Sequence, residues 1–258
     1  MEAIYVDATV YTEGVPLYDA PLCICLKLWR LVLKHWVNRL VILASAVVLV
    51  GCASSRSEVG ISTPSKNTQT TTTAAPAVPG QKQVYVRSVT DQRVFEAAPK
   101  DPSIPSLGFG GAAKATADVK ARAMGRKRNG YGAAMGDVLL PEGQSVTLIV
   151  SQQLRTVLQD AGYHVVEQAP TQPDALVVDV QIKEFWSWIQ MGFWGAKVHN
   201  KISTELRIEN ATQPVVVRSA AVQSRQLVTD GAWKEIVELG LVDYRKNIQS
   251  QWVPTLVK

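Results

Sequence analysis

Long apolar runs are scarce in this chain of 258 residues. The main one, Leu40 to Val50, is 11 residues long, and a membrane-spanning helix needs about 20. Counting apolar residues from Leu22 onward lengthens the run only by taking in Lys27, Arg30, Lys34 and Arg39, and each charge is expensive at bilayer depth. A retained N-terminal span is therefore disfavoured. Histidine is nearly as sparse, with His35, His164 and His199. No Gly-x-Ser-x-Gly elbow, His-Glu-x-x-His zinc pair or Gly-Lys-Ser/Thr phosphate loop occurs, so the usual motifs for acyl transfer, zinc hydrolysis and nucleotide binding are missing. Gly108-Phe109-Gly110-Gly111 and Gly130-Tyr131-Gly132 do not make a dinucleotide fingerprint, because Ala113 and Met135 stand where a third glycine is needed. The net charge of +5 is mildly basic. Without a Lys/Arg-dense face or a reader motif it does not indicate nucleic acid.

Three cysteines are present, at positions 23, 25 and 52. A basic segment, a short apolar core and small residues before a cut define a secretory signal peptide. The run Leu49-Val50-Gly51-Cys52 then resembles the lipobox of bacterial lipoproteins. That resemblance implies cleavage before Cys52, a lipid on its thiol and acylation of the new amine. Residues 1–51 would leave as extension and signal, taking four residues of each sign and keeping the charge at +5. No cysteine pair would remain for a disulfide or a thiolate metal site, and the covalent lipid is the one added group expected, with no cofactor or metal. Residues 1–32 are acidic for a signal, with Glu2, Asp7, Glu13 and Asp19, and a start near Leu33 would give a more compact one. Ala53, which is not the Asp of an inner-membrane retention signal, favours the outer membrane by the same resemblance.

Residues 52–82 are rich in Ser, Thr, Ala and Pro, carry no hydrophobic period and read as a disordered tether. The folded part is expected over 83–258. Val84 and Val86 open a strand that Thr90-Asp91-Gln92-Arg93 interrupts, with Asp91 and Arg93 read as a turn-stabilising pair. Residues 95–143 follow as an aperiodic insert rich in Gly, Ala and basic residues. Val146, Ile149, Val150, Leu154, Val157 and Leu158 then fall at helical spacing and Gly162 closes that helix. A short strand at 164–167 is followed by strict alternation of Leu176, Val178, Val180 and Ile182 against Asp179, Gln181 and Lys183. Two more strands follow, one carrying Val198, Ile202, Leu206 and Ile208, the other running from Val215 to Leu227. Asp230 is expected to cap a last helix, whose stripe is Trp233, Val237, Leu241, Tyr244, Ile248 and Trp252. The order β-α-β-β-β-β-α predicts an α+β domain, an antiparallel sheet of about five strands with two helices on one face and the other face solvated.

Asp91-Gln92-Arg93 after a Val-rich strand, the helix closing on Gly162-Tyr163, and the alternating strand entering Phe185-Trp186 together resemble the YajG-like lipoprotein family. The resemblance implies an envelope location and a small α+β module. Two local features bear on partners. Trp186 and Trp188 continue the inward register of Leu176 to Ile182 and would plug one end of the core; Phe193 and Trp194, beside Gly192 and Gly195, are the better candidates for an exposed rim. In the insert, Arg122, Arg126, Lys127 and Arg128 read as a solvated loop or, alternatively, as a site for a glycan, headgroup or acidic protein face. The expectation is a lipid-anchored, periplasm-facing binding or assembly module of the envelope. It would contact the membrane through its anchor and an envelope protein or anionic glycan through these residues, and not nucleic acid. The alternatives are a hydrolase or glycan-modifying enzyme with its site in 95–143, and an accessory subunit of an envelope transporter or motility structure.

Overall fold

The computed structural model describes residues 55–62, 81–170 and 172–257. The signal region 1–51, Cys52 and residues 63–80 of the expected tether lie outside them.

Alternation from Leu176 onward produces β6 (Leu176–Met191), the strand to which the other strands are referred. A turn around Gly192–Gly195 returns the chain as β7 (Ala196–Ile208), and β8 (Val215–Arg225) completes an antiparallel meander along one edge of β6. The other edge departs from the antiparallel expectation. There β2 (Gln83–Asp91) runs parallel to β6, and β5 (His164–Val166) runs parallel to β2. The cause is the connection between β2 and β5, which passes through a helix, and a helical crossover suits parallel strands where a two-residue turn cannot.

The segment 95–143 is not a structureless insert. It forms helix α1 (Ala117–Arg122) and strands β3 (Ala123–Arg128) and β4 (Ala134–Leu139). β3 meets β6 in parallel at Gly125–Ser187, beyond the last β2 pair at Asp91–Ile182. One edge of β6 is thus shared by two strands end to end. β4 pairs antiparallel with β3, and β1 (Ser57–Glu58) pairs in parallel with β4. The mixed sheet has eight strands among the described residues rather than five.

β1 also corrects the tether. Val59 and Ile61 are buried in the main core, Arg56 pairs with Asp137 at 3.0 Å, and Glu58 pairs with the Arg122 guanidinium at 2.7 Å. Two apolar residues two apart in a Ser/Thr-rich stretch do not register as a period, yet they are enough to dock an edge strand. The expectation that nothing in 52–82 packs fails for 57–61.

Helices α2 (Val146–Asp160) and α3 (Asp230–Asn247) lie on one face, where their stripes meet Val84, Val178, Val180, Ile182, Ile202, Leu206 and Val217. The Ser145 hydroxyl caps α2 by accepting from the Leu148 amide at 3.2 Å. Asp230 proves to be the first helical residue of α3, with Thr229 at the cap position. A π turn (248–252) and a 3-10 turn (253–257) then bring Trp252 and Leu256 into the core.

Lys183 is an extra residue in β6: Ile182 pairs with Thr204 but Glu184 pairs with Ser203. Such a bulge flips the side-chain alternation beyond it. Phe185 and Ser187 therefore take the helix side, and Trp186 and Trp188 turn to the opposite face. There Leu107, Val119, Ala123, Leu139, Phe95 and Ala112 cover them as a second, smaller core. The solvated outer face expected for the whole sheet exists only along the first half of β6.

Arg93 closes the gap between β2 and β3. Its side chain is fully buried and grips the Asp91 carboxylate with Nε at 2.8 Å and Nη2 at 2.7 Å. It also donates to the carbonyls of Ala123 (2.5 Å), Phe185 (3.1 Å) and Lys120 (2.8 Å). The guanidinium fork thus supplies donors to carbonyls of β3, β6 and α1 at this junction. The expected Asp91–Arg93 pair is real: the Arg93 amide donates to Asp91 Oδ1 at 3.1 Å, as in an Asx turn, and the buried guanidinium joins two strands as well.

Candidate interaction surface

The β6–β7 tip is fixed by its glycines. The Gly192 amide donates to the Gly195 carbonyl at 2.7 Å, and a Cβ on Gly195 would come within 2.7 Å of the Arg225 carbonyl oxygen. Between them Phe193 and Trp194 stand 90% and 88% exposed, ring edge to ring face at 4.9 Å and 84°. Met191 beside them is also exposed. A groove of about 450 Å³ runs along the tip, lined by Gln190, Met191, Trp194, Lys197, Arg225 and Gln226. Arg225 is held by Glu235 of α3.

The other two tryptophans of the cluster belong elsewhere. Trp186 is 1% exposed, meets Phe95 edge-on at 6.1 Å and donates its indole N–H to the Pro102 carbonyl at 3.2 Å. It is core, and not a docking residue. Trp188 is half-buried and stacks on His199 at 4.8 Å and 7°, with Lys201 Nζ 5.9 Å from its ring centroid. Desolvation, helped by Lys197, holds the His199 imidazole below its ordinary pKa.

The basic cluster is likewise divided. Arg122 is buried, bonded to Asp118, Glu58 and the Leu140 carbonyl. Arg126 reaches the Met135 carbonyl (3.3 Å) and Ser106 Oγ (3.2 Å); burial lowers its pKa, opposed by Asp137. Lys127 bonds Ser57 Oγ. Arg128 donates to the Gly132 (2.9 Å) and Pro99 (3.0 Å) carbonyls. These side chains hold the insert and β1 together, so the reading of a free anion-binding loop is weakened at Arg122 and Arg126.

Tyr131 drew attention in the sequence only within Gly130-Tyr131-Gly132, not as an exposed aromatic. It is 99% exposed on the β3–β4 turn, in which Asn129 Oδ1 accepts from the amides of Tyr131 and Ala133. Its glycine neighbours signal a turn, but nothing in them signals which turn residue projects. On the open face of the first half of β6, Ser88, Thr90, Gln92, Asp179, Gln181, Glu205 and Arg207 line a shallow polar groove of about 360 Å³. Arg87, the bulged residue of β2, grips Asp179 at 2.5 Å and Glu209 at 2.6 Å. Its hydrogen bond holds the Asp179 carboxyl below the usual range. Among the described residues no three His, Cys, Asp or Glu side chains are grouped so as to hold a metal ion.

No family model matches the chain, and no curated protein matches it. Solved structures give distant likenesses. One is an uncharacterised protein at 8% identity and TM-score 0.40, covering 76% of this chain and 97% of the other. A second, from Xanthomonas campestris and assigned to a domain family of unknown function, stands at 13% identity and TM-score 0.40, with 79% and 95% covered. A third, a hypothetical protein from Chlamydia trachomatis, has 7% identity and TM-score 0.35, with 67% and 99% covered.

Proposed function

We propose that the chain is a lipid-anchored, periplasm-facing lipoprotein of the outer membrane, similar to the YajG-like family, that works by docking rather than by catalysis. The observation that carries the reading is the pair Phe193 and Trp194, held exposed side by side on a turn with a fixed hydrogen bond. Leaving two large aromatics in water forgoes burial that each could have had, and rigid aromatic anchors on a surface are what docking sites are built from. Cys52 supplies the anchor in this reading, and the lipobox resemblance supports it. The insert spends much of its basic charge on internal hydrogen bonds, which favours docking over a hydrolase or glycan-modifying site there.

Two variants test the proposal. In cells fed labelled palmitate, the parent takes up label and Cys52→Ser does not; label on that variant would refute the anchor. Trp194→Ala leaves the unfolding free energy within about 0.5 kcal/mol of the parent, as for surface sites without special roles. It also loses cross-linked recovery with the envelope fraction. Unchanged recovery would remove the tip from the docking site.

A further inference from the structure

The register of the sheet gathers three separate features at one end of it. Ser57 lies level with Val138, Val138 with Gly125, and Gly125 with Ser187. From that line β6 runs on to the Phe193-Trp194 tip. β3 runs parallel to it, so Arg128 and the Tyr131 turn project the same way. β1 runs parallel to β4, which is antiparallel to β3. The chain therefore leaves β1 backward, through Arg56 and Ser55, toward the same end. Strand rise puts Met191 about 13 Å beyond Ser187, and Arg56 and Ser55 precede β1 on the same side. Three peptide links separate Cys52 from Ser55, a covalent reach of about 10 Å. That reach ties the anchor to within about 10 Å of Ser55.

Charge at this end favours an anionic surface. Arg56 and Arg225 are matched by Asp137 and Glu235. Arg128 is met by two carbonyl oxygens, with Asp101 near enough to feel its charge. Lys127 bonds a hydroxyl, and Lys197 is exposed.

We infer that this end of the sheet rests on the membrane: Tyr131, Phe193 and Trp194 enter the interfacial layer of an anionic bilayer, and Arg128 and Lys197 meet its headgroups. Tyr and Trp are the residues that settle at headgroup level, apolar body inward and polar tip wet. Basic residues beside them add attraction to anionic lipid that decays within a Debye length. The inference rests on the acylated Cys52 of the proposed function and names the surface that the tip docks on. The opposite end of the sheet, with the start of β6, then faces away from the bilayer.

The test uses the acylated chain in phosphatidylethanolamine–phosphatidylglycerol vesicles that carry a lipid spin-labelled near its headgroup, with palmitate labelling of the same preparation as a separate report on the anchor. The label lowers tryptophan emission, and that drop is lost in Trp194→Leu, whose exposed site leaves folding unaffected. Palmitate-labelled protein whose quenching is the same in Trp194→Leu would overturn the inference and leave the anchor standing. A chain with neither palmitate nor quenching would overturn both. Cross-linking of Trp194→Cys to a second copy or to another envelope protein, with its tip unreached by the spin label, would assign the tip to a protein and also overturn the inference.

Discussion

The two halves of β6 have similar sequence character and opposite surroundings. From Leu176 to Ile182 one side is buried under helices and the other is open, with Asp179 and Gln181 in a polar groove. From Glu184 to Ile189 both sides are covered in turn, Phe185 and Ser187 beneath α3 and Trp186 and Trp188 beneath the segment 95–122. One extra residue, Lys183, separates the two regimes. The strand shows that a sheet can change from two layers to three along its own length when a bulge reverses its faces and a second element is present to cover the new apolar side.

The sharpest way to break this comparison is Trp186→Ala. Emptying a buried aromatic site costs about 3–5 kcal/mol, read as a fall in the denaturant midpoint; an unchanged midpoint would mean the second core is not a core. Arg93→Met comes next. It leaves the Asp91 carboxylate without its guanidinium and takes one donor from each of the Ala123, Phe185 and Lys120 carbonyls, and breaking such a buried pair costs about 3 kcal/mol. Hydrogen exchange should show β3 amides losing protection before those of β7. If β3 and β7 open together, Arg93 is not what joins the halves.

Acid gives a smaller effect, and its sign follows from His199. The imidazole is held below its ordinary value by desolvation and Lys197, so the unfolded chain binds the proton more readily. Stability is then full above about 6.5, the unfolded value, and declines as pH falls through that value toward the folded one. Thermal midpoints between pH 7.5 and 5 should show the decline, and His199→Gln should flatten it. The smallest effect belongs to the open half: Gln181→Ala should stay within about 0.5 kcal/mol of the parent. A loss comparable with that of Trp186→Ala would mean that the first half is covered as well.

What the sequence made legible follows the same division. The α2 and α3 stripes and the β6–β7–β8 meander announce themselves because one face of each is buried against one core, which writes a clean period. The parallel placement of β2 does not, since partner and direction leave no mark within a strand. The bulge at Lys183 is silent for the same reason, and it misassigned Trp186 and Trp188 to the helix face. β3 and β4, Ala123-Met124-Gly125-Arg126 and Ala134-Met135-Gly136-Asp137, lack β-branched alternation. Gly125 is small because Trp233 and the Ser187 carbonyl would each stand 2.9 Å from a Cβ there, a tertiary reason that no local pattern reveals. The exposure of Phe193 and Trp194 was legible, because two glycines frame them at the end of a hairpin.

The way β1 is fastened decides how the molecule would bear load. Consider a pull on Ser55 directed along the axis of β1. The Arg56–Asp137 pair, the Lys127–Ser57 bond, the Glu58–Arg122 pair and the Val59 amide to the Leu139 carbonyl all lie side by side across that axis. They are loaded together in shear rather than opened one after another like a zip. Rupture under tension is governed by the unfolding barrier rather than by equilibrium stability, so this edge can be thermodynamically modest and still resist being dragged sideways. A tug at right angles to the sheet would meet the same bonds one at a time and detach the strand at far lower force.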